Sequence, residues 1–156
     1  MMDIRFEEVR DAAEKRRVCR IVLESLPLWF GIAESREEYC RGVAEHDFIS
    51  VVDGQAPVGF VSVKRNNAYT AELYVIGLLE DYHRRGIGTR LLERVEAGLR
   101  ERGYRFLEVK TLDESRESEE YARTRKFYVK HGFIPIDTLF NEWGRDNPCL
   151  IMIKPL

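Results

Sequence analysis

At 156 residues, with 44% apolar and 33% charged side chains, the chain has the size and composition of one folded domain, residues 1–156, with a core of its own. A net charge of -2 excludes recruitment to nucleic acid by bulk electrostatics, and no apolar run approaches the ~18 residues of a membrane span. Cys19, Cys40 and Cys149 read as reduced core thiols, no cysteine or histidine spacing suits a metal, and the charged start MMDIRFEEVR lacks a signal-peptide core, which together predict a cytoplasmic protein.

Ile4 to Val9 predicts a first strand. Asp11 with Glu14 forms a capping pair ahead of a helix whose stripe is Val18, Cys19, Val22 and Leu26, and Pro27 ends it. Ser35 with Glu38 repeats the capping pattern before a short helix carrying Tyr39 and Val43. Phe48 to Val52 and Val58 to Val63 flank Asp53-Gly54, a hairpin signal. Thr70 to Leu79 is largely apolar on both faces, as a central strand requires. From Gly86 the period changes: Ile87, Leu91, Leu92, Val95 and Leu99 recur at helical spacing, and Gly103 is placed to cap that helix. Phe106 to Thr111 is the next strand, Leu112 to Glu119 a polar loop, and Tyr121 to His131 a helix closed by Gly132. Phe133 to Ile136 and Leu150 to Ile153 are final strands, joined by a loop with Trp143, Asn147 and Pro148. The order β-α-α-β-β-β-α-β-α-β-β predicts an α/β protein built on a mixed sheet.

The strand from Ala71 runs into a short basic turn with two glycines and then a helix. A helix start leaves backbone N–H groups unused and carries partial positive charge, so it can hold a phosphate. Gly86 and Gly88, without a Cβ, let that backbone approach a ligand, and Arg84 and Arg85 add charge. The turn predicts an anionic, phosphate-bearing ligand. It is not a P-loop, because no Gly-x-x-x-x-Gly-Lys-Ser/Thr run exists. Nor is it a dinucleotide fingerprint: Leu91 stands where the third glycine belongs, and Glu80, Asp81 and Tyr82 make the connection too long.

Two motifs carry a resemblance. His83-Arg84-Arg85-Gly86-Ile87-Gly88 is similar to the Gln/Arg-x-x-Gly-x-Gly/Ala signature of the GNAT acetyltransferase superfamily, with histidine at its first position. Phe127-Tyr128-Val129-Lys130-His131-Gly132-Phe133 resembles a second element of that family, an aromatic-Tyr pair followed by Gly-Phe. The order of strands and helices resembles the family across almost the whole chain. The resemblance implies a GNAT-like acyl-CoA N-acyltransferase fold, with acetyl-CoA as cosubstrate and no metal. It implies that the pyrophosphate sits on the backbone N–H groups of Arg84, Arg85, Gly86, Ile87, Gly88 and Thr89, with His83 either donating to phosphate or facing solvent. The pantetheine arm would pair with the backbone of Ile76 and Leu78 as a short added strand. Gly77 between them either opens the strand with a bulge or lets a helix pack closely. Tyr121 stands where the family often carries an asparagine that contacts the coenzyme, and Thr124 where it carries a small residue.

Acetyl transfer to an amine must deprotonate the amine, polarise the thioester and protonate the departing thiolate. Glu72 shares a strand face with Tyr74, Ile76 and Leu78. In the histone acetyltransferase branch of the family the general-base glutamate has the same offset from the glycine turn, so the resemblance implies Glu72 as base, against an ordinary strand-end glutamate. It implies Tyr128 as proton donor to sulfur, against a core-facing tyrosine beside Phe127. Trp29, Phe30 and Trp143 either line an acceptor pocket or pack, and the charged run from Asp113 to Glu120 is a solvated loop or an attractor for a cationic acceptor. The expected partner is a small-molecule or peptide amine, and the protein a monomer or homodimer. A non-catalytic acyl-CoA-binding sensor of the same fold is the alternative, and it has little need of Tyr128 and Glu72.

Overall fold

The computed structural model describes residues 2–156. In chain order the elements are β1 (Ile4–Glu8), α1 (Ala12–Glu24), α2 (Ala33–Gly42), β2 (Asp47–Asp53), β3 (Ala56–Arg65), β4 (Thr70–Leu78), α3 (Ile87–Glu101), β5 (Phe106–Leu112), α4 (Glu119–Lys130), β6 (Ile134–Leu139) and β7 (Cys149–Pro155). The strands hydrogen-bond in the order β1-β2-β3-β4-β5-β7-β6, a seven-stranded mixed α/β sheet as the sequence predicts. Contacts group the chain into two compact units: residues up to Arg65 with Leu73–Val95, and Asn66–Glu72 with Glu96–Leu156. β4 and α3 each contribute residues to both.

In the first unit β1, β2 and β3 form an antiparallel meander, with Phe6 opposite Val51 and Ser50 opposite Phe60. The Asp53-Gly54 hairpin forms as predicted, and Gly54 takes the left-handed φ of 63° that its turn demands. Asp11 caps α1 as predicted: its carboxylate accepts from Glu14 N at 2.9 Å. That helix buries Val18, Cys19, Val22 and Leu23. It stops at Glu24 rather than at Pro27, because the Ser25 hydroxyl takes the Ile21 carbonyl at 2.9 Å and the chain tightens; Leu26, past the helix end, is still buried. The Ser35 cap does not form. α2 begins three residues earlier, its N-cap Ile32 has no side-chain cap, and Arg36 instead ties the entry loop through the Phe30 carbonyl at 2.8 Å.

The core of this unit joins α1 and α2 to Phe48, Phe60 and Val75, with Phe48 and Phe60 stacked at 5.0 Å. Cys19 and Cys40 bring α1 and α2 together, their sulfurs 3.4 Å apart. Gly77 is a packing glycine: a Cβ there would lie 3.0 Å from Val22 Cγ1 and 3.3 Å from Leu26 Cδ1. The helix thus reaches β4 at close range where the notional alternative was an open bulge.

In the second unit β7 lies between β5 and β6, antiparallel to both, with Lys110 opposite Ile151 and Leu139 opposite Cys149. Leu107, Val109 and Met152 are fully buried, so one face of this part of the sheet is core. Ser118 caps α4 by accepting from Tyr121 N at 3.3 Å, and Arg125 donates to the Leu112 carbonyl at 2.6 Å, anchoring the helix to the end of β5. Buried Glu96 is met by Lys154 at 2.7 Å and Arg100 at 3.3 Å. Among the described residues no helix is long and apolar enough to cross a membrane.

Candidate active site

The basic turn is built by local backbone chemistry. After β4 a single 3₁₀ turn, Glu80–Tyr82, reverses the chain, and Arg84 and Gly86 both adopt left-handed backbone, at φ 61° and 75°. Arg84 is the one described non-glycine residue with positive φ. Left-handed residues within a tight turn are an ingredient of the anion-binding concavities that successive backbone N–H groups form. Helix α3 follows at once, and its first internal bond runs from Arg90 N to Gly86 O at 3.1 Å, so the N–H groups of Ile87 and Gly88 are not used inside the helix. A Cβ at Gly86 would meet no protein atom within 4 Å, so the approach to this backbone is clear of the chain itself. The buried side chain of Ile87 roots the turn in the core.

Three side chains hold the turn in place. His83 Nε2 lies 2.5 Å from the Leu78 carbonyl oxygen, linking the end of β4 to the turn. The Trp29 ring meets His83 edge-on at 5.5 Å. Tyr82 donates to Asp53 Oδ2 at 2.6 Å, fastening the 3₁₀ turn to the β2–β3 hairpin. The structure thus brings Leu78 and His83 together and sets both beside the glycine turn in sequence and space, with the imidazole turned back on the strand. Ile76 and Leu78 are half-buried on β4, alternating with buried Val75 and Gly77. Phe30, Tyr39, Tyr74 and His46 form a chain of edge-on rings at 6.0, 5.4 and 4.7 Å, which makes Phe30 and Trp29 members of a packed aromatic group.

The remaining predicted residues lie in the second unit. Tyr128 on α4 is 3% exposed and packs edge-on against Phe127 and Phe133 at 5.7 and 5.3 Å. Burial, and then the neighbouring Tyr121, pushes its phenol well above the ordinary range, so it is protonated at any working pH. Burial also pushes the Tyr121 phenol up to about 12, against an opposing pull from Arg116. Thr124 donates to the Glu120 carbonyl at 3.2 Å. The acidic loop is pinned rather than loose. Asp113 accepts from Ser115 N at 3.0 Å and from the Thr138 hydroxyl at 3.2 Å, and Arg116 donates to the Asp146 carbonyl at 3.1 Å.

Glu72 is 6% exposed at the start of β4 and has company that the sequence did not reveal. Asn66 Nδ2 donates to Glu72 Oε1 at 3.2 Å and to Glu108 Oε2 at 3.1 Å. Lys110, two residues along β5 from Glu108 and so on the same face, reaches Glu142 at 3.4 Å. Burial holds the Glu108 carboxyl above the usual carboxylate range, and the charge of Glu72 adds to that. Burial also pushes the nearby Cys149 thiol up to about 11. The signal for Glu108 and Lys110 was present as alternation in β5, where Leu107, Val109 and Thr111 face the core and Glu108 and Lys110 face away. Asn66 carried no such signal. It is placed by Asn67, whose side chain accepts from Tyr69 N and Thr70 N at 2.8 and 2.9 Å to form the turn into β4. Among the described residues no group of three or more His, Cys, Asp or Glu is arranged to hold a metal ion.

Solved structures share this fold along the full chain. A GNAT-family protein from Desulfovibrio desulfuricans is 21% identical with a TM-score of 0.78, covering 98% of this chain and 99% of its own. The PaiA N-acetyltransferase of Thermoplasma acidophilum, solved with coenzyme A, is 18% identical with a TM-score of 0.76, covering 99% of this chain and 100% of its own. A GNAT acetyltransferase of Elizabethkingia anophelis, solved with acetyl-CoA bound, is 15% identical with a TM-score of 0.69, covering 98% of each chain. No curated relative matches the sequence. The model of the acetyltransferase (GNAT) family matches residues 9–133, which takes in the glycine turn, Glu72 and Tyr128, and the chain therefore belongs to the GNAT acetyltransferase family.

Proposed function

We propose that this chain transfers an acetyl group from acetyl-CoA to a primary amine by direct attack while both are bound. The observation that carries the reading is the turn itself: left-handed backbone at Arg84 and Gly86, a clear approach to Gly86, and a helix start immediately after. Such a backbone suits a pyrophosphate without needing a lysine or a metal. The N–H groups from Arg84 to Thr89 would take the phosphates, with the guanidinium groups of Arg84 and Arg85 as screened, exposed support. The end of β4 at Ile76 and Leu78 would offer backbone to the amides of the pantetheine arm. His83, held against the Leu78 carbonyl, would fix the turn relative to that strand end. The names of structural neighbours that bind coenzyme A or acetyl-CoA support the choice of cosubstrate.

Bound acetyl-CoA supplies an activated carbonyl and a thiolate leaving group. The chain's own contribution is proton management. A primary amine enters as ammonium and must lose one proton before attack and another afterwards. Glu72 is the proposed acceptor for the first, directly or through a water. The second is balanced by the proton that Tyr128 gives to sulfur as the C–S bond breaks. Burial weakens the Tyr128 phenol as an acid, but a thiolate forming in the same apolar surroundings is a correspondingly stronger base. The transfer is therefore concerted with bond cleavage rather than a pre-equilibrium.

Glu72→Gln tests the base. It keeps the side-chain size and the partnership with Asn66, so coenzyme A binding survives while turnover at neutral pH falls, by on the order of 100-fold or more. Its rate climbs as rising pH deprotonates the amine in solution, whereas the wild type loses rate on the acid side as its base takes up a proton. A Glu72→Gln variant with wild-type rate and pH profile would remove Glu72 from the mechanism.

A further inference from the structure

The two carboxyl groups of Glu72 and Glu108 sit under one amide. They come from different strands, β4 and β5, and the two bonds from Asn66 Nδ2, at 3.2 and 3.1 Å, hold them side by side. The Glu72 charge adds to burial in holding the Glu108 carboxyl above the usual carboxylate range. Two carboxylates held side by side under one donor repel each other when both are ionised, which favours the pair sharing one proton. We propose that Glu108 is a positioning residue for Glu72: the two carboxyls act as one proton-accepting pair, with Asn66 as the fixed donor that keeps them together. This rests on the reading of Glu72 as the base.

The chemistry follows from charge. Removing the shared proton leaves two negative charges side by side, and a pair so loaded takes a proton from an ammonium group more readily than a lone carboxylate does. In the productive step the pair enters doubly ionised. One N–H bond of the acceptor ammonium breaks, and its proton ends between the Glu72 and Glu108 oxygens. The free amine attacks, sulfur leaves with the Tyr128 proton, the second N–H proton of the new amide nitrogen restores the Tyr128 hydroxyl, and the pair later returns its proton to solvent. The surrounding groups set the balance. Burial and the Glu72 charge hold the Glu108 proton on, while Lys110 and the Asn66 bond favour its loss. Lys110 is itself tied to Glu142 at 3.4 Å, and the nearby Cys149 thiol, pushed up by burial to about 11, carries no charge at neutral pH. A pair of this kind titrates in two steps that belong to both residues together, the upper one above the ordinary carboxylate range.

The test uses the full chain in two measurements. In the free protein with ¹³C-labelled glutamate carboxyls, NMR titration of the wild type gives a carboxyl step displaced upward from an ordinary glutamate, sensed at two resonances. Glu108→Gln abolishes that displaced step. If both carboxyls titrate as ordinary, independent glutamates in the wild type, the pairing is wrong, and this needs no variant to fold. The second measurement is the kcat/KM pH profile with one amine acceptor across all variants, so that the ionisation of the amine is constant. Glu108→Gln moves the acid limb to lower pH by on the order of one unit, because the like charge is gone. Asn66→Ala moves it to higher pH, because the donor that favours the doubly ionised pair is gone. A purely structural role lowers rates without moving the limb in opposite directions. If Glu72→Gln removes the limb but Glu108→Gln leaves it in place, Glu108 has no part in the base and the single-base reading stands. If Glu72→Gln leaves the limb at its wild-type position, the reading of Glu72 as base fails with it.

Discussion

Tyr128→Phe lowers kcat by on the order of 100- to 10,000-fold while coenzyme A affinity stays close to that of the wild type. The reasoning starts from what the substitution keeps. The phenylalanine ring occupies the same place between Phe127 and Phe133, so the edge-on contacts at 5.7 and 5.3 Å and the buried packing of α4 persist. Only a hydroxyl is lost. That hydroxyl is held in its protonated form by burial, so it is a donor throughout the working pH range and its loss is not mimicked by raising pH. The variant therefore shows a rate deficit that is flat with pH, unlike the deficit of Glu72→Gln, which shrinks as pH rises. Stopped-flow or single-turnover kinetics under chemistry-limited conditions is the measurement. An unaltered chemical step would assign Tyr128 to packing alone.

Gly86→Val abolishes measurable coenzyme A binding at concentrations that saturate the wild type, with the domain still folded. Two effects add. Valine is β-branched and Gly86 sits at φ 75°, so the left-handed backbone is disfavoured by about 1–2 kcal/mol and the turn is drawn toward another conformation. The side chain also projects where a Cβ meets no protein atom within 4 Å, so it crowds the ligand's approach rather than the core. Stability falls only by the backbone strain, because no packing is lost. Trp29 is the reporter: its ring meets His83 at 5.5 Å, beside the turn, so its emission is expected to change when coenzyme A binds the wild type. The expected result is a melting curve lowered by a few degrees with the emission change lost. A folded variant with normal coenzyme A response would mean that the phosphates do not use this backbone.

What the sequence made legible was local. The Asp11 cap, the Asp53-Gly54 hairpin and the glycine turn each depend on residues within a few positions of one another, and each appears in the structure. Ser35 shows where local chemistry is overruled. Its capping pattern is sound by itself, but α2 starts at Ala33 because the segment from Leu26 to Ile32 is fixed from outside, by Arg36 on the Phe30 carbonyl and by Phe30 against Tyr39. His83 shows the same limit in side-chain direction: the motif gives its place in the turn, and the Leu78 carbonyl decides where its ring points. The carboxyl pair lay beyond reach for a different reason. Asn66 and Glu108 are 42 residues apart, and only the register of β5 against its neighbours makes them meet. Single-chain periodicity says which face Glu108 takes, not what faces it.

Amine-dependent release of coenzyme A thiol, followed with acetyl-CoA across a panel of polyamines, amino sugars, amino acids and peptide N-termini, tests the central claim most directly. With the wild-type chain, at least one amine raises thiol release well above the rate of hydrolysis, and mass spectrometry of that acceptor shows the gain of one acetyl group on nitrogen. The same acceptor is unmodified when Tyr128→Phe replaces the wild type for the same interval. Saturable binding of acetyl-CoA with no acetylated amine anywhere in the panel, and no difference between wild type and Tyr128→Phe, would contradict the account and leave a fold that holds acyl-CoA without turning it over.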